Sequence, residues 1–187
     1  MKTDSREPGV GSYVVIHDRL VAAETHHYAS RLHFSPACRA IQGTAGAVVS
    51  TETGQELLVV TVVWDSRGLV TTVRTKIESG EVSPCYGLRL DAPVFVSAWE
   101  ATGACSGTTV LVPLGEMEPR VLLDQVINEI GNAEELLNVP HDVVQALDDA
   151  FRATLVQLSA EDAGSPRSVG QASSAHIYEE SAGSHPE

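Results

Sequence analysis

The pattern with the most chemical content is Gly103-Ala104-Cys105-Ser106-Gly107, a thiol flanked by glycines in the form G-x-C-x-G. Glycines on both sides let a nucleophile stand on a tight turn, with backbone N–H groups near enough to stabilise an oxyanion. Such a thiol needs a base. Four histidines, His17, His26, His27 and His33, fall within seventeen residues near the start of the chain. Cys105 as an acyl-transfer nucleophile, with His27 or His33 as its base, is one reading of these residues. The other is that Gly103 and Gly107 shape a hairpin turn and Cys105 is incidental. The histidines could instead hold a metal, with Asp18 and Glu24 as oxygen donors, yet Arg31 stands among them and no carboxylate falls at a zincin-like spacing. Read without chemistry, they are polar surface with a mild pH response. The sequence therefore assigns no metal ligand set and no cofactor.

The glycine-flanked Cys105 is similar to that of chymotrypsin-like viral cysteine proteases, a resemblance that implies two barrels. The strands available here are too few to build both. A hydrolase-type elbow needs a helix after the nucleophile, and Thr108-Thr109-Val110-Leu111-Val112 reads as a strand. Cys38 and Cys85 each follow a Ser-Pro turn and read as small buried hydrophobes, or as a redox pair if the fold brings them together. Trp64 and Trp99 lie in expected strands and read as core or as the wall of a ligand pocket. Gly43-Thr44-Ala45-Gly46 lacks the Lys and the following helix of a phosphate loop. The neighbouring carboxylates Glu134-Glu135 and Asp148-Asp149 point to different sides of helical segments, so neither pair makes an acid–base site.

The elements that must position these residues follow from periodicity. Residues 13–16 are an apolar β-branched run and read as a strand. Residues 18–34 fit a helix capped by Asp18 or a hairpin, and the aromatic and histidine content favours strand. As a strand, residues 25–34 put His27 and His33 on one face with Arg31 between them, and His26 on the other. Residues 47–50 and 56–64 form a hairpin, and residues 57–63 are apolar on both faces, as in a central strand. Residues 69–77 alternate, with Arg74 and Lys76 outward, which marks a sheet with one wet face. Glu78-Ser79-Gly80 reads as a turn, and short strands follow near 86–90, 94–99 and 108–112. Two helices then start at Pro119 and Pro140. The first carries Val121, Leu122, Val126, Ile127 and Ile130 inward, the second Val143, Val144, Leu147, Phe151, Leu155 and Leu158.

The expected fold class is α+β: an antiparallel meander of about six to seven strands with two C-terminal helices on one face. Its element order is similar to helix-grip ligand-binding domains, which implies a curved sheet wrapping a final helix around an apolar cavity. Residues 1–11 read as a mobile arm, 12–160 as one domain and 161–187 as a disordered tail rich in Ser, Gly and Ala. The length allows one domain that buries about 70% of its unfolded surface.

Charge narrows the partners. The net charge is −13: +1 over residues 1–40, −3 over 41–115 and −11 over 116–187. No basic stripe is evident along the chain, so nucleic acid is not an expected partner, and an anionic membrane would repel the acidic third. Ten of the twelve basic residues are Arg, which fits a GC-rich bacterial or phage coding sequence. Three cysteines without metal spacing, and a charged N-terminus with no apolar run after it, fit a cytoplasmic protein with reduced thiols. The leading reading is a non-catalytic accessory or binding protein. Its partner is expected to be another protein, a second copy of the chain, or a small apolar ligand. The alternatives are the Cys105 enzyme and the His-rich metal protein.

Overall fold

In the computed structural model, the structure describes residues 13–115, 119–132 and 139–164, so the expected arm, most of the tail and the segment 133–137 lie outside the described residues. These residues form an α+β fold of nine antiparallel strands in two sheets with two helices. The strands are β1 (Val14–Leu20), β2 (Thr25–His33), β3 (Arg39–Gln42), β4 (Gly46–Ser50), β5 (Glu56–Asp65), β6 (Val70–Thr71), β7 (Arg74–Val82), β8 (Leu90–Thr102) and β9 (Cys105–Leu114). The helices are α1 (Pro119–Asn132) and α2 (His141–Gly164).

The larger sheet runs β1-β9-β5-β4-β3 with β6 against β5, and the smaller runs β2-β8-β7. The expected single meander is therefore corrected: β1 and β2, consecutive in the chain, enter different sheets. Periodicity reveals which side chains share a face but not which strand is the neighbour. The stretch 69–77 is likewise two strands, β6 and β7, which pair in different sheets. The expected turn at Glu78-Ser79-Gly80 is interior to β7. Gly80 is there because a Cβ at that position would stand 2.5 Å from Val94 Cγ2, so the glycine marks a close approach and not a bend. The expected strand at 86–90 is instead largely a loop, closed by Leu88 N–H donating to the Cys85 carbonyl at 3.2 Å. Its glycine, Gly87, has φ +80°, and β8 begins at Leu90.

The layers follow from β5, apolar on both faces as expected of a central strand. Leu58, Val60, Val62 and Trp64 face the helices, where Leu122, Val126, Ile130, Val143, Leu147 and Phe151 bury their stripes. Val59 on the other face meets Ala47, Val49 and Phe95 between the two sheets. Burying each such side chain stabilises the fold by about 1.5–3 kcal/mol. A short polar chain crosses that interior: Ser97 Oγ donates to Thr61 Oγ1 at 2.9 Å, and Thr61 and Thr109 hydroxyls lie 2.9 Å apart. The buried hydroxyls thus satisfy one another. The helices lie against one face of a sheet whose other face carries a second sheet, which differs from a helix-grip arrangement.

Tyr13 ties the entry of β1 to the helical layer. Burial, then a hydrogen bond to Glu129 and its charge, push the phenol up to about 12 from 10.0. A folded value above the unfolded one means that this contribution is complete below pH 10 and lost as pH rises through about 12. Thermal melts from about pH 8 to 12 should show Tyr13→Phe melting below wild type at the lower end, with the gap closing above about pH 10.

Candidate functional site

The cross-strand register assembles one exposed face. On the outer side of the smaller sheet, His27 stands opposite Glu100, Arg31 opposite Val96, and His33 opposite Val94. On the other flank of β8, Arg74 stands opposite Ala98, Lys76 opposite Val96, and Glu78 opposite Val94. Directly opposed residues of an antiparallel pair share a face. The alternate residues Leu32, Ile77 and Phe95 turn inward to the core between the sheets. The outer face is thus an apolar stripe, Val94 and Val96, fenced by His27, Arg31 and His33 on one side and Arg74 and Lys76 on the other. The valines themselves are buried, 3% and 1% exposed, while the flanking His27, Arg31, His33, Arg74 and Lys76 are exposed. His33 Cε1 would lie 3.6 Å from a Cβ at Gly80, so the imidazole reaches across beside Val94 toward β7.

Two carboxylates share the face. Glu78 pairs with Lys76, and its acidity is strengthened first by that hydrogen bond and also by the charges of Lys76 and Arg31. Glu100 lies 3.4 Å from His27 Nδ1, both well exposed. Formal charge there is positive before either imidazole is protonated, in a chain whose total is −13. Beside one end of the face is a cleft of about 410 Å³, lined by His27, Arg74 and Glu100 from the outer side, by Tyr28 and Trp99, which alternation turns to the inner side, and by Thr71 of the larger sheet. Tyr28 and Trp99 stack there with ring centroids 5.7 Å apart. Trp99 is 8% exposed and its indole Nε1 has no hydrogen-bond partner among the described residues.

The other residues singled out by sequence lie elsewhere. Cys105 opens β9 in the larger sheet, paired with Leu20 and Asp65, while His27 and His33 belong to the smaller sheet. Of the four early histidines, His17 alone shares a cleft with Cys105, and with Arg19, Trp64, Asp65 and Ser106 it lines a depression of about 730 Å³. His17 stands opposite Thr108 and bonds its hydroxyl at 3.0 Å. Alternation along β9 puts Cys105 on the opposite face from Ser106 and Thr108, hence from His17. Gly103 makes the turn before it, with φ +80°, whereas Gly107 is inside β9.

Cys105 is 2% exposed, Cys38 is half-buried and Cys85 is exposed. Reactivity requires access as well as thiolate. Alkylation of the native protein, followed by peptide mass spectrometry, should label Cys85 first and Cys105 last. Among the described residues no group of three or more His, Cys, Asp or Glu converges to hold a metal ion. No helix among them is long and apolar enough to cross a membrane.

Sequence reasoning places His27, Arg31 and His33 together and turns Arg74 and Lys76 outward. What it misses is that β8 lies between them. A family model described as Heparinase II/III-like, C-terminal, matches residues 7–96, a little under half of the chain. No curated protein and no solved structure matches. The matched segment contains every basic residue of the outer face and ends within β8. The similarity is thus to the strands β1 to β7 and the first half of β8.

Proposed function

We propose that the protein is a non-catalytic binding module for an acidic polysaccharide, which lies across the outer face of the smaller sheet. The observation that carries this reading is the gathering of His27, Arg31, His33, Arg74 and Lys76 on one open face of an otherwise acidic chain. A single exposed ion pair is worth about 0–1 kcal/mol, so a small anion would bind feebly there. A polymer bearing a carboxylate or sulfate on each repeat engages several such groups at once, and each contact after the first is intramolecular. Guanidinium forks such as those of Arg31 and Arg74 match carboxylate and sulfate oxygens in pairs.

The acidic helices do not defeat this. They lie two layers away, about 20 Å at the usual ~10 Å between packed layers, and the screening length at physiological salt is about 8 Å. The likeness to a domain named for heparinases supports the ligand class. The stacked Tyr28 and Trp99, on the inner side of the same sheet end, line the cleft beside the face, where the end of a sugar chain could reach them. No catalytic group is needed for any of this.

Calorimetric titration tests it with a heparin oligosaccharide and neutral dextran. Heparin should bind with an affinity that falls as salt rises, and dextran should give no heat. The double variant Arg31→Glu, Arg74→Glu should lose at least about tenfold in affinity, or ~1.4 kcal/mol, while melting like wild type. Equal heparin binding by that variant would rule out this face.

A further inference from the structure

The depression beside His17 belongs to a different layer from the basic face and needs no polysaccharide reading. We infer that it is a second binding site, for a small organic anion: a carboxylate or phosphate carried on a flat apolar body. It is bounded by the end of β1, the turn between β5 and β6, the start of β9 and the residues leading into α2. Its volume of about 730 Å³ falls in the range of small-molecule sites.

The lining divides into a flat apolar part and a cationic rim. Trp64, 4% exposed, forms the floor, with the His17 ring 5.5 Å from it at 37°. Val139 and Pro140 supply the apolar wall. Because its Nδ1 is engaged with Thr108 Oγ1, His17 is held in place and its Nε2 edge is left for a ligand. Arg19 and Arg67 are the cations and Asp65 is the sole carboxylate of the lining.

That carboxylate is already saturated. Asp65 Oδ1 accepts from the N–H groups of Arg67 at 2.8 Å and Leu69 at 3.0 Å. Its Oδ2 accepts from Arg67 Nε at 2.9 Å and from the terminal guanidinium nitrogen at 2.7 Å. The Arg67 side chain, foremost among these donors, holds the Asp65 acid below its ordinary range. Asp65 and Arg67 therefore cancel, with no oxygen of Asp65 left to demand a cation. Arg19 remains, and it has no acidic partner among the described residues. A guanidinium without a counter-charge among the described residues, at the rim of an aromatic-floored cleft, selects an anion with a planar body, because each half of the lining matches one half of that molecule.

The test is an NMR titration of the full chain with benzoate, phenyl phosphate and benzyl alcohol, followed at the Trp64 indole N–H, which Trp99→Phe leaves as the single indole signal. At least one of the two anions should shift that resonance to saturation, and the pair should show which head group is preferred. Benzyl alcohol should bind at least about tenfold more weakly, the loss of one charge-assisted hydrogen bond. Arg19→Gln should reduce the anion's affinity by a similar factor without changing the alcohol's, and Arg19→Lys should restore part of it. The inference is overturned if neither anion saturates, if the alcohol equals them, or if Arg19→Gln titrates like wild type.

Discussion

Replacing Phe151 by Ala should lower the stability of the protein by about 3–5 kcal/mol, a large share of the ~5–15 kcal/mol that a domain of this size possesses. Phe151 is fully buried in α2, among Leu147, Val60 and the other residues that join the helices to the larger sheet. Truncation removes the transfer energy of the ring and leaves a cavity in a layer whose walls are two rigid elements, so collapse is limited. Urea titration should show the loss as a lower midpoint with little change of slope. Val156→Ala on the same helix makes the control. Val156 is 64% exposed, and its truncation should stay within about 0.5 kcal/mol. If both variants cost the same, the helix does not pack as described.

The second large effect is expected at Gly46, the first residue of β4. A Cβ there would stand 2.2 Å from the carbonyl oxygen of Val59 and 2.9 Å from Val60 Cγ2. The nearer atom is backbone in the neighbouring strand, which cannot swing aside as a side chain can, so Gly46→Ala must part β4 from β5 or shift the hairpin. Overpacking of this kind costs about 1–3 kcal/mol and the backbone contact sets this case at or above the upper figure. Gly43 is also confined, since a Cβ there would stand 2.5 Å from Thr154 Cγ2. Thr154 is itself buried, with its hydroxyl donating to Ala150 O at 2.9 Å. The two glycines that read in sequence as a poor phosphate loop are thus where α2 lies down on the β3–β4 hairpin. Gly54→Ala is the useful contrast. Nothing lies within 4 Å of it, but φ is +81°, so only the left-handed backbone strain of about 1–2 kcal/mol should appear.

How much of this can be read from the chain depends on the range of the interaction. The helix stripes are legible because three- and four-residue steps report burial locally. Leu122, Val126 and Ile130 are buried as expected, although Val121, counted in the same stripe, is exposed. The central position of β5 is legible for the same reason, since apolar residues on both faces require cover on both. The split into two sheets is not, because β1 finds β9 and β2 finds β8 at long range in the sequence, and alternation carries no record of partner.

The binding face shows the same limit. His27, Arg31 and His33 share a side of one strand in the sequence pattern, where Arg31 counts as a charge hostile to a metal. Only the arrival of β8 and β7 alongside makes Arg31 one member of a basic surface with Arg74 and Lys76. The reverse holds for Cys105, whose local pattern suggests a nucleophile and whose strand carries it into the buried face of another sheet.

The most direct test of the central claim is to map a heparin oligosaccharide on the protein by backbone amide chemical-shift perturbation. The account predicts saturable shifts concentrated in β2, β7 and β8, greatest near Arg31, Arg74, Lys76 and Val96, and largely absent from α1 and α2. Shifts confined to the helices or to the His17 cleft, or no saturable shift at low salt, would contradict it.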